Sequence, residues 1–149
     1  MNGAELIIAY AMSQVGKPYI WGDKNPAVGG WDCSGLCSEI AKFMGILKYN
    51  EFLNAQGLYD RWAPNATHGV FQPLCFAFYG KSLINGITHV AFMVSPYQII
   101  HAAGGDSTTT TVQAADLKER AFVRGDLVDY RKDLLITLKP AGLERIGLR

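Results

Sequence analysis

The stretch Trp31-Asp32-Cys33-Ser34-Gly35-Leu36 decides how this chain is read. Asp32 is a residue type that caps helix N-termini. Leu36, Cys37, Ile40, Phe43 and Met44 then follow at helical spacing, forming one apolar face, until Gly45 stops the run. Cys33 therefore falls in the first turn of a helix. Backbone N–H groups and the helix dipole favour a thiolate there, and the thiolate is the nucleophilic form of cysteine. Two histidines lie downstream on apolar, strand-like segments, Thr88-His89-Val90-Ala91-Phe92 and Ile99-Ile100-His101-Ala102. A cysteine followed by a histidine and then a polar partner is one of the recurring orders of cysteine hydrolases.

Outward from this stretch, the pattern is that of one α+β domain. Asn2 can cap a first helix with apolar positions at Leu6 or Ile7, Ala11 and Val15, ended by Gly16-Lys17-Pro18. The loop over 19–31 is rich in Gly, Asn and Pro and holds Trp21 and Trp31, a composition suited to shaping a groove. A third helix is expected over 51–62. Strands are expected over 74–79, 89–94 and 98–102, the last two joined as a hairpin by Ser95-Pro96-Tyr97. An edge strand over 108–112, a short helix over 114–120 and final strands over 127–130 and 134–138 complete the reading. Helices first and antiparallel strands second form a single domain over 1–149.

Composition narrows the function. The chain has 149 residues and a net charge of +1, from 14 Lys and Arg against 13 Asp and Glu. These cations are scattered, so nucleic acid is not expected as a partner. The apolar N-terminus lacks a basic leader region and is interrupted by Glu5 and Gln14, so it reads as a packed helix. Neither a cleaved signal peptide nor a membrane span is expected there. Three cysteines, an odd number, argue against a disulfide framework. Cys33 and Cys37 lack the Cys-x-x-Cys spacing of zinc sites, so no metal is expected, and Cys37 and Cys75 read as small core residues. His68, in a polar loop, reads as exposed.

Taken together, Gly16-Lys17-Pro18-Tyr19-Ile20-Trp21-Gly22, Asp32-Cys33-Ser34-Gly35-Leu36, Thr88-His89-Val90 and His101-Ala102 resemble the NlpC-type cell-wall cysteine peptidases, bacterial and bacteriophage enzymes with a compact papain-like fold. The resemblance spans roughly residues 3–105. It implies N-terminal helices packed on an antiparallel sheet, and cleavage of peptidoglycan stem peptides, commonly between D-glutamate and the diamino acid. It makes Cys33 the nucleophile, His89 the base, His101 the residue that orients His89, and Tyr19 a helper of the oxyanion. Asp32 and Ser34 match substrate-subsite positions, although Asp32 reads equally well as the helix cap. Trp21 and Trp31 are candidates for stacking on sugar or peptide, or for packing.

In that family the strand before the catalytic histidine usually begins Gly-Asp-Leu. Here the stretch is Phe71-Gln72-Pro73-Leu74-Cys75-Phe76, and Gly125-Asp126-Leu127-Val128, after both histidines, is not counted as that motif. No cofactor is implied. The implied place of action is the bacterial cell wall, in the periplasm or outside the cell, with delivery in a virion or as a toxin among the routes. The segment 131–149 reads as a final strand with an extension, or as a docking segment for a larger phage or secretion assembly. Two other readings stay open: another thiol acyltransferase or amidase on the same fold, and a non-catalytic module for wall binding or phage-tail assembly.

Overall fold

The computed structural model describes residues 1–22 and 30–147. Residues 23–29 of the expected groove loop, and the last two residues of the C-terminal extension, lie outside the described residues. Three helices come first: α1 Gly3–Ser13, α2 Cys33–Phe43 and α3 Ala55–Trp62. They are followed by β1 Thr67–His68, β2 Phe76–Gly80, β3 Ile87–Met93, β4 Gln98–Ala103, a short α4 Val112–Asp116, β5 Phe122–Leu127 and β6 Leu134–Lys139. Among the described residues the strands form one antiparallel sheet in the order β1-β6-β2-β3-β4-β5.

Each helix start follows from a local side chain. Asn2 accepts from the Glu5 N–H while Glu5 reaches back to the Asn2 N–H, a reciprocal capping box. Asp32 accepts from the Gly35 N–H at 2.6 Å and so places Cys33 as the first residue of α2. Asn54 accepts from the Gly57 N–H at 2.7 Å, and α3 therefore begins at Ala55, later than the expected 51. Glu51 instead accepts from the Lys48 N–H and pairs with Arg61.

The central strands are buried on both faces, which explains their continuous apolar runs. Helix-side residues Phe76, Phe78, Val90, Phe92 and Ile100 join Ile7, Ala11, Leu36, Ile40 and Leu58 in the main core. The alternate residues Ala77, Tyr79, Ala91, Met93 and Ile99 form a second cluster, covered by Val128 with Tyr130 and Leu134. The β3–β4 hairpin is present as expected. Ser95 Oγ accepts from the Tyr97 and Gln98 N–H groups at its turn.

Several local expectations are corrected. Of the alternatives Leu6 and Ile7 it is Ile7 that enters the core, whereas Val15 and Phe43 do not face it; Phe43 is 55% exposed and stacks on Tyr10 with ring centres 4.7 Å apart. Residues 108–112 are not an edge strand, because Asp106 and Thr109 bond each other's backbone in a turn and Thr111 caps α4. That helix is shorter than expected, Val112–Asp116. The strand expected over 127–130 lies earlier, as Phe122–Leu127, and residues 128–130 turn over the second cluster. His68 is exposed, but in β1, with its Nε2 2.8 Å from the Ala63 carbonyl. Within the C-terminal segment, Leu134–Lys139 form the final strand, β6 pairing with β1 on one side and β2 on the other.

Candidate active site

The cap at Asp32 brings Cys33 to a cleft of about 360 Å³. Tyr19, Trp21, Thr88, His89, Gly104, Gly105, Arg124, Tyr130 and Arg131 also line it. A larger hollow of about 600 Å³, bounded by 45–48, Arg61 and Ala141, shares no residue with it and carries no nucleophile. Helix α2 packs on β3 and β4, and the Val90 backbone N–H points to the Cys33 sulfur. Thus the helix supplies the thiol and the strands supply the imidazoles.

The two histidines sit on the sheet face opposite the helices, in register with Ala91, Met93 and Ile99. His89 is 6% exposed and His101 is fully buried. His89 Nε2 lies 2.7 Å from His101 Nδ1, and His101 Nε2 lies 2.7 Å from Asp126 Oδ2. Arg124 Nε donates to the same Asp126 oxygen at 2.7 Å. The Tyr130 ring stands edge-on to His101 with ring centres 4.8 Å apart. The structure thereby joins Cys33, His89, His101 and Tyr19 around one site.

Two close approaches hold Tyr19 there. Its N–H donates to Ala121 O, and its ring lies against Gly105, where a Cβ would come within 2.1 Å of Cδ1. Gly104 has φ +81°, and a Cβ there would meet the Arg120 carbonyl oxygen at 1.9 Å. The end of β4 can pass between these groups because neither glycine carries a side chain. Burial, and then the neighbouring Cys33 and Asp32, push the Tyr19 phenol upward, so it keeps its proton as a donor.

The four subsite candidates separate. Trp21 is 52% exposed at the lip of the cleft. Trp31 is a correction: it is fully buried and its Nε1–H donates to Gln14 Oε1 at 3.1 Å, so it packs the core and presents no surface to a ligand. Asp32 and Ser34 are buried behind the cleft lining. Asp32 Oδ1 caps α2, its Oδ2 accepts from the Gly22 N–H at 3.1 Å, and the Ser34 hydroxyl sits 3.5 Å from Oδ1. Sequence reasoning missed Arg124, Asp126, Tyr130 and Arg131. The period-two pair Arg124 and Asp126 was a usable signal, hidden because the strand is expected to start at 127 and starts at 122.

The titrations also revise an expectation. Burial pushes the Cys33 thiol up to about 11, and the Asp32 carboxylate adds to this. The Val90, Ser34 and Cys33 N–H groups pull the other way without overcoming it. Burial, then His101 and the Arg131 and Arg124 charges, lower His89. The open cleft therefore holds a neutral thiol and a neutral imidazole, where the helix start alone suggested a thiolate. Among the described residues, no group of three or more His, Cys, Asp or Glu is arranged to hold a metal.

A pH dependence of stability follows. Burial lowers His101 from 6.5 to about 4, against the opposing Asp126 hydrogen bond. The unfolded chain then binds more protons than the folded one between those values, so stability present above pH 6.5 is lost as the pH falls toward 4. The expected loss from this group is about 3 kcal/mol. Urea unfolding at a series of pH values measures it, and a flat stability across that window would contradict the burial argument.

No family model and no curated protein sequence matches the chain. Solved structures do. A Staphylococcus aureus protein described as similar to a lipoprotein of the NLP/P60 family superposes with a TM-score of 0.66 at 20% identity, over 94% of this chain and 42% of that one. The NlpC/p60 domain of the peptidoglycan hydrolase SagA gives 0.59 at 24% identity, over 93% of this chain and 98% of that one. The chain has the NlpC/P60 fold. NlpC1 from Trichomonas vaginalis gives 0.61 at 19% identity, over 94% of this chain and 44% of that one. The chain thus spans less than half the length of the first and third of these. In this NlpC/P60 fold the expected papain-like arrangement of helices on an antiparallel sheet is present. Among the described residues no helix is long and apolar enough to cross a membrane.

Proposed function

We propose that the protein is a cysteine peptidase that hydrolyses amide bonds in the peptide stems of peptidoglycan. One observation carries this reading: a helix-start cysteine shares a cleft with a histidine that is hydrogen-bonded to a second, buried histidine. The fold neighbours support the substrate class, since one of them is named a peptidoglycan hydrolase.

His89 Nε2 is engaged by His101, so Nδ1 is the nitrogen left to act on the thiol. As the Cys33 sulfur attacks the scissile carbonyl carbon, Nδ1 takes the thiol proton. The Cys33 N–H and the Tyr19 hydroxyl are the donors for the oxyanion. Collapse of the tetrahedral intermediate breaks the C–N bond, and His89 returns the proton to the leaving amine. Water then enters, gives its proton to His89 and attacks the thioester; the carboxylic acid leaves and the thiol is restored. The finer reading places the cut between D-glutamate and the diamino acid. Action is then at the cell wall, outside the cytoplasm.

The test is digestion of purified peptidoglycan and short stem peptides, with products read by mass spectrometry. Release of stem fragments is the expected result, and the fragment masses name the bond. No release, with Cys33 still readily alkylated, would replace this reading with another acyl substrate. No release and an inert thiol would replace it with a wall-binding or assembly module.

A further inference from the structure

We propose that Asp126 is a positioning residue that sets the tautomer of both buried imidazoles, so that His89 presents an unprotonated Nδ1 to Cys33. The inference deepens the peptidase reading and rests on it for the role of His89, but the proton arrangement follows from geometry alone.

A carboxylate only accepts hydrogen bonds, and a neutral imidazole donates from one nitrogen and accepts at the other. His101 Nε2 is 2.7 Å from Asp126 Oδ2, so the proton between them belongs to His101. The lone pair of His101 is then on Nδ1. His89 Nε2, 2.7 Å away, has to be the donor across that contact. Only Nδ1 of His89 remains without a proton. Reversing the His89 tautomer would set two lone pairs against each other between two buried side chains.

The surroundings keep the first link in place. On the β4–β5 ladder Arg124 lies opposite His101 and Asp126 opposite Ile99, so Asp126 reaches His101 diagonally on one face. Partial burial opposes ionisation of Asp126, but hydrogen bonds from Arg124 and His101 outweigh it and lower its pKa. Arg120 adds a cation 3.8 Å from Oδ1. Around the imidazoles stand Arg124 from β5, Tyr130, Arg131 and Asp133 from the β5–β6 connection, Tyr79 from β2, and the Cys33 thiol with Asp32 at the start of α2. Burial above all, with both arginines adding to it, disfavours a charged His101 against the pull of Asp126.

The experiment is long-range proton–nitrogen NMR of the imidazoles, with Cys33 alkylation rates followed against pH, in the wild type and in Asp126→Asn and Asp126→Glu. His68, exposed and remote from the pair, serves as the internal reference. In the wild type His89 and His101 are both expected as Nε2–H tautomers. An amide at 126 can donate to His101 Nε2, which moves the proton to Nδ1 and turns His89 round. Alkylation at neutral pH should then fall by at least ~10-fold, and the glutamate variant should restore part of it.

A wild-type His89 protonated at Nδ1 would overturn the proposal without any variant. So would an Asp126→Asn protein with lower thermal stability but unchanged tautomers and alkylation profile, since that is what a purely structural ion pair predicts. If the tautomers are as stated but no stem peptide is cleaved, the peptidase reading fails and the positioning role stands. If the wild type cleaves and Asp126→Asn matches it at every pH, the positioning role fails alone.

Discussion

Replacing Cys33 by alanine abolishes stem-peptide hydrolysis and leaves the fold standing. The sulfur is the atom that forms the acyl bond, and no other cysteine can take its place, because Cys37 and Cys75 are fully buried. The expected loss is on the order of 10⁵-fold in rate. The helix start does not depend on the thiol, since the Asp32 carboxylate caps α2 through the Gly35 N–H. Cys33 is also partly exposed and only borders the core, so its removal opens no large cavity. Rate assays on wall fragments with circular dichroism of the same sample check both halves. Hydrolysis retained by the folded variant would remove Cys33 from the mechanism.

His89→Ala is the second large effect. A thiol held up near 11 is almost wholly protonated at neutral pH and needs a base at the moment of attack. Without His89 that base is gone, as is the acid that protonates the leaving amine. A loss on the order of 10²–10⁴-fold is expected from general acid–base catalysis alone. Alkylation of Cys33 separates this from a binding defect. It should become slow at neutral pH and rise only as the solution itself removes the proton. An alkylation profile identical to that of the wild type would show that the two residues do not work as a pair.

What could be read along the chain is instructive. The α2 start was legible because a cap is a contact between residues three apart, and Asp32 to Gly35 is such a contact. The β3–β4 hairpin was legible for the same reason, through Ser95 and its two neighbouring N–H groups. The nucleophile and both histidines followed from residue type and order on those elements. The start of α3 was missed because Glu51 and Asn54 both suit a helix start, and Glu51 is drawn off by Arg61, ten residues away. Phe43 was misread because spacing alone does not say which residues at the edge of an apolar stripe meet the sheet and which stack outside it on Tyr10.

Asp126 shows the limit most clearly. Its Gly-Asp-Leu context was visible, but its place in the chain, after both histidines, gave no reason to connect it with them. The connection is made by pairing β5 to β4, which sets Arg124 and Asp126 on the same face as His101. Trp31 shows the same limit: an aromatic beside the nucleophile suits stacking on a ligand and packing equally, and the fold decides for packing by turning it inward onto Gln14.

By itself, then, the sequence determined the local events: where helices begin, where the hairpin turns, which side chains can act as nucleophile and base, and in what order they come. Short-range hydrogen bonds and residue chemistry decide those, and both are written within a few positions. Only the tertiary structure decided the rest. It set which imidazole nitrogen faces which partner, that Asp126 and Arg124 close the line behind His101, that Trp31 is core, and that burial keeps Cys33 protonated despite its helix start. Each of these depends on which strands pair and in what register, or on exclusion of water by distant residues, and the order of residues along the chain does not name those partners.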